Sequence, residues 1–262
     1  MKRLIPLLLL FVSLPSLAQR QFDIEVIIFK RAVDAEKVNE SWPNTQPKIS
    51  LERVGSFQDT QYRAKKGVQM LPYSEYKLTP QKDKLRKHAG FEVLMHTAWR
   101  QGDQGKSSAP VFHIQAGKDF SKDFNADGSE KGAITTATTT TTTTGADGFQ
   151  EETIDKPLYE LDGKLQIYVQ HYLYAETTLD LKAPSVREVT LQEQQIELDS
   201  PVSGAESNVQ VGNLTEISPT VEVEEFLKSY RMDQKRRMRS TETHYLDHPL
   251  LGMVIQVRRV AQ

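Results

Sequence analysis

Phe22-Asp23-Ile24-Glu25-Val26-Ile27-Ile28-Phe29 alternates apolar with acidic residues and then turns wholly apolar. Alternation with a period of two puts Phe22, Ile24 and Val26 on one face of an extended chain, and the closing apolar run gives the other face something to bury as well. A strand apolar on both faces belongs inside a sheet, so the stretch predicts a central strand. Phe91 to Trp99 reads as a second strand, and Thr79 to Gly90 before it as a helix, with Thr79 at the N-cap, Pro80 in first position and Gly90 as the stop.

Val111 to Gln115 reads as a short strand, and Gly163 to Leu181, rich in Tyr, Val, Leu and Thr, as one long bent strand. Tyr230 to Met238 and Gly252 to Val257 flank a turn-rich segment and are expected to pair as a hairpin arm, with a helical intrusion over 223–228. Strands dominate and few connections are helical. The expected class is α+β, a mainly antiparallel sheet with few helices and long mobile surface loops.

Two stretches lack any period. In Thr135 to Thr144 every residue is Thr except Ala137, which offers no apolar face to bury, so the region near 118–157 is expected to be a disordered, Thr-rich insertion. Asp199 to Glu216, with Ser, Gly, Asn and Pro, is expected to form another surface excursion. Residues 19–262 are otherwise expected to form a single domain.

The first residues read as a secretory signal. Lys2 and Arg3 precede an apolar run from Leu4 to Leu14, too short for the roughly 20 residues of a membrane helix, and Leu14-Pro15-Ser16-Leu17-Ala18 presents small residues for cleavage after Ala18. Residues 1–18 are therefore expected to leave. The chain has no Cys, which excludes a lipidated N-terminus, disulfides and thiolate metal sites. Its formal charge of −2 becomes more negative once Lys2 and Arg3 are removed, which argues against a nucleic-acid or anionic-membrane binder, and with no lipidation Cys and no later apolar run of membrane-spanning length no membrane anchor is expected.

Three segments imitate chemical motifs. Asp123-Phe124-Asn125-Ala126-Asp127-Gly128 begins like a calcium loop, but Ile134 occupies the twelfth position, where a Glu ligand belongs. Ser74-Glu75-Tyr76-Lys77 has the Ser-x-x-Lys spacing of penicillin-recognising enzymes without their other elements, and it follows a loop-like Pro72-Tyr73. His244 and His248 would share a helical face, but Pro249 disfavours the helix, and on a strand about 13 Å would separate them at about 3.3 Å per residue. No catalytic residue, metal site or cofactor is expected.

The chain resembles the CsiV family. The resemblance rests on Phe22 to Arg31 with Glu40-Ser41-Trp42-Pro43, on His96-x-x-Trp99-x-Gln101 within the second strand, and most specifically on Arg236-Arg237-Met238-Arg239 followed by His244-Tyr245-Leu246-Asp247-His248-Pro249-Leu250-Leu251-Gly252. It implies a periplasmic, non-enzymatic protein that binds peptidoglycan and assists a class A penicillin-binding protein together with its outer-membrane lipoprotein activator, LpoA. Other readings are an adaptor between proteins that does not touch the wall, and a wall hydrolase. Sugar rings stack on exposed aromatics, and stem peptides carry carboxylates. The expected binding residues are accordingly Arg236, Arg237, His244, Tyr245, Asp247 and His248, with Trp99 and Arg100, and with Trp42 as a further stacking ring.

Overall fold

A computed structural model describes residues 20–132, 156–190 and 221–261. The signal segment, the Thr tract and the Asp199 to Glu216 stretch lie outside the described residues. The fold class is α+β, with two antiparallel sheets and two α-helices among the described residues. One sheet has the order β2-β3-β1-β9-β8, built from Gln69–Met70, Phe91–Gly102, Gln21–Arg31, Leu251–Arg259 and Thr243–Asp247. The other has the order β4-β5-β6-β7, built from Val111–Asp119, Tyr159–Gln170, Tyr172–Thr190 and Val221–Met238.

β1 is the central strand its sequence predicts. It pairs antiparallel with β3 on one side and β9 on the other, in registers that set Ile24 opposite both Trp99 and Val257. Ile24, Val26, Ile27 and Ile28 are all 0% exposed. Across the sheets, Trp99 meets Phe112 of β4 edge-on at 5.3 Å, Phe57 stacks on Phe112 at 4.0 Å, and Gln101 Nε2 donates to the Ile167 carbonyl at 2.9 Å.

Helix α1, Thr60–Lys66, has no counterpart among the sequence expectations, although its ends are marked. Asp59 caps it by accepting from Tyr62 N at 2.9 Å, and Gly67 closes it at φ 64°, the left-handed backbone that glycine takes without steric cost. Helix α2, Thr79–Lys87, starts one residue earlier than expected, with Leu78 rather than Thr79 at the N-cap. No side chain of the helix caps it. Glu25 does so from β1, accepting from the backbone N–H groups of Lys77 and Leu78 at 2.7 and 2.8 Å.

Three further expectations are corrected. The Gly163 to Leu181 run is not one bent strand: the chain reverses at His171, whose φ is 61°, and β5 and β6 pair from Gln170↔Tyr172 to Leu161↔Leu181. Residues 223–228 are strand, within β7. β7 does not pair with Gly252 to Val257; it edges the four-stranded sheet beside β6, while β9 lies between β1 and β8.

The chain forms two compact units. The larger comprises 1–120, 157–182 and 229–262 and holds the cores just described. In the smaller, comprising 121–156 and 183–228, the calcium-like segment is a turn: Asn125 N donates to Ser129 O at 2.8 Å, and the Asp127 carboxylate accepts from the Ser129 N–H and hydroxyl at 2.9 and 2.7 Å. Arg187 there is paired with Glu224 and lies 4.8 Å over the Phe226 ring.

Candidate functional site: the outer face of the four-stranded sheet

The residues expected to bind are distributed over several surroundings. Trp99 is 0% exposed, and its Nε1 donates to Gln101 Oε1 at 2.7 Å, so its ring fills the core and offers no face to a sugar. His96, Trp99 and Gln101 of the second strand are all committed to internal contacts, His96 through Glu25 at 2.9 Å. Arg100 forks onto its cross-strand neighbour Asp23 at 2.6 and 3.0 Å, with Glu75 at 3.6 Å, so its charge is already met. Trp42 is half-buried, edge-on to Tyr230 at 5.2 Å and 5.8 Å from the His248 ring.

The two signature histidines occupy different environments. His244 Nε2 accepts the Arg239 backbone N–H at 3.0 Å. His248 is buried, and its Nδ1 accepts from Leu250 N at 3.2 Å. Burial pushes the His248 imidazole below its ordinary pKa, against the opposing pull of Glu40. It is a packed, neutral ring at the end of β8.

Tyr245 and Asp247 do come together, on β8. Tyr245 Oη donates to Asp247 Oδ1 at 2.9 Å and accepts from Arg31 Nη2 at 2.6 Å, and Arg31 also pairs with Asp247. Burial raises the Tyr245 hydroxyl's pKa in spite of Arg31. The ring lies parallel to Phe29 at 6.3 Å and is 42% exposed. Gly252 makes this possible, because a Cβ there would sit 2.5 Å from Phe29 Cζ and 2.7 Å from Tyr245 Oη.

Arg236 and Arg237 lie at the end of β7, both exposed, and Arg237 stands 4.6 Å over the ring of Tyr172. That contact leads to residues not singled out from the sequence. Along β5 and β6, Leu165, Ile167, Leu173, Ala175 and Leu179 face the core, so Gln166, Tyr168 and Gln170 share the opposite face with their partners Glu176, Tyr174 and Tyr172. Tyr168 and Tyr174 stack at 5.4 Å, and Lys235 from β7 lies 5.1 Å over Tyr174 and 6.0 Å over Tyr168. Lys106 covers Tyr168 from another side at 5.7 Å while pairing with Glu176 at 2.7 Å.

The arrangement is a sheet face of tyrosine rings interleaved with cations, in which Tyr168 is covered, at 1% exposed, and Tyr172 is open, at 54%. The chemistry it offers is an open aromatic ring, Tyr172, for a sugar face and a guanidinium, Arg237, for a carboxylate. The signal in the sequence was the alternation Tyr168, Tyr172, Tyr174 within a run read only for its strand character.

Comparison with known proteins adds one match. A family model described as "Peptidoglycan-binding protein, CsiV" matches residues 3–260, nearly the whole chain. No curated protein and no solved structure matches it.

Proposed function

The chain belongs to the CsiV family, whose description is that of a peptidoglycan-binding protein, and from that premise we propose that it is a periplasmic, non-catalytic wall-binding protein that assists a class A penicillin-binding protein through LpoA. The observation that carries the reading is the match across residues 3–260. The tyrosine and cation face around Tyr172 and Arg237 supports it, since it pairs an open aromatic ring with a guanidinium, the two chemistries that glycan and stem peptide call for. Arg236 and Arg237 extend that face, and the Tyr245, Asp247 and Arg31 cluster on β8 provides a second polar patch. No described helix is long and apolar enough to cross a membrane.

The partner part of the proposal has its own test. Immobilised LpoA is expected to retain the purified mature protein, and addition of the protein is expected to raise glycan polymerisation by the penicillin-binding protein when LpoA is present. Retention without any change in polymerisation would make the chain an adaptor, and no retention would remove the partner from the account. Muropeptide release from sacculi by the protein alone would contradict the non-catalytic reading.

A further inference from the structure

On the larger unit, the loop before α1, the last turn of that helix, the β3–β4 connection and β5 enclose an open groove of about 610 Å³, within the range of small-ligand sites. Arg53, Lys66 and Lys106 line it with the amides of Gln166 and Gln170, and none of its lining residues is acidic. The cations are not equally occupied. Lys106 is neutralised by Glu176, and Lys66 Nζ donates only to the Ser108 carbonyl at 2.8 Å. Arg53 is exposed and has no ion pair among the described residues.

Arg53 is also held in an unfavourable backbone conformation. Its φ is 59°, the left-handed region that a long side chain takes only when its surroundings impose it. The surroundings here are specific. Tyr62 Oη donates to the Val111 carbonyl at 2.9 Å and accepts the Val111 N–H at 2.8 Å, and Gly55 is fastened on both sides, its N–H to Val111 O and its carbonyl from His113 N–H, each at 2.9 Å. The loop is clamped to β4 two residues beyond Arg53, and Arg53 lines a groove that has no acidic lining residue.

Resting on the wall-binding reading above, we propose that this groove receives the carboxylates of the peptidoglycan stem peptide, with Arg53 as the fork that pairs with a carboxylate, Lys66 as the second positive charge, and Gln170 as a hydrogen-bonding partner for the peptide backbone. The planar guanidinium matches a carboxylate through two parallel hydrogen bonds, and Lys66 adds a point charge alongside. The tyrosine face shares Lys106, Gln166 and Gln170 with the groove's surroundings, so a glycan strand on the face would lie next to its own stem peptide in the groove.

Arg53→Gly tests this cleanly, because glycine suits the left-handed backbone and the melting temperature is expected to stay level or rise while the charge is lost. The probes are the free pentapeptide stem, the same peptide with its carboxylates amidated, a neutral chitin oligosaccharide, and intact sacculi, each titrated against the parent, Arg53→Gly and Lys66→Gln. The parent is expected to bind the free stem and not the amidated one, and each variant to bind it about tenfold more weakly, the scale of a charge-assisted hydrogen bond. Binding of the chitin oligosaccharide is expected to be equal in all three proteins. If the parent pellets with sacculi but ignores the free stem, or Arg53→Gly binds it as the parent does, the groove assignment is overturned and wall binding stands. If the parent fails to pellet with sacculi, the reading beneath the proposal falls. Preference for an acidic oligoglutamate over the stem would assign the groove to a protein segment and overturn the proposal as well.

Discussion

Glu25 is the residue through which the five-stranded sheet, a helix terminus and a cross-strand arginine are joined. It is 0% exposed, and its carboxylate accepts from Lys77 N, Leu78 N, His96 Nε2 and Arg258 Nη1. Burial alone would raise its pKa, but hydrogen bonds from His96, the two backbone groups and Arg258 outweigh that and hold it at about 2, against an ordinary 4.5. A carboxylate depressed in the fold contributes stability that is fully present above its unfolded pKa and is lost as pH falls through the folded value. Between pH 4.5 and 2 the protein should therefore lose about 3 kcal/mol from this group. Glu25→Gln should show most of that loss already at neutral pH and a flatter acid limb in denaturant titrations. His248, also depressed, acts in the same direction in a higher window, its contribution being present above pH 6.5 and falling below it. In His248→Gln the decline that begins below pH 6.5 should disappear from a plot of melting temperature against pH, and its persistence would show that another group causes it.

Among the elements, what sequence alone could reveal depended on whether the deciding signal was local. β1 and β3 were legible because their apolar patterns specify burial residue by residue. The reversal between β5 and β6 was not, because it turns on His171 at φ 61° rather than on a Gly or Asn. The end of α2 is set by a distant residue, Glu25, so its start was misplaced by one. α1, by contrast, carried readable ends in Asp59 and Gly67, and Asp59→Ala should cost about 1 kcal/mol through loss of the cap, measurable as a lowered melting temperature. The pairing of β9 with β1 instead of β7 is a matter of long-range register that alternation cannot specify. At that pairing Gly252 opposes Phe29, and Gly252→Ala should destabilise by about 1 to 3 kcal/mol by displacing Phe29 and Tyr245. A stability equal to the parent's would mean that the two rings have room to shift.

For the molecule as a whole, the signature that identified the family does not form one continuous site. Trp99, Arg100 and His248 hold the fold, Tyr245 and Asp247 make a cluster with Arg31, and Arg237 lies over Tyr172 as Lys235 does over Tyr168 and Tyr174, contacts that arise only when β5, β6 and β7 lie side by side. Sequence reading found the arginines by their charge run but had no way to see that Tyr172 lies beneath one of them. Wall binding is therefore expected to run through that face. The most direct measurement is co-sedimentation with purified sacculi of the mature protein and of Tyr172→Ala/Arg237→Ala, with melting temperatures recorded for both. Both side chains are exposed at the surface, so the melting temperature is expected to hold, while the variant's sedimentation should weaken about tenfold, the combined scale of an aromatic stack and a charge-assisted contact. A variant that pellets as the parent does, or a parent that stays in the supernatant, would contradict the account.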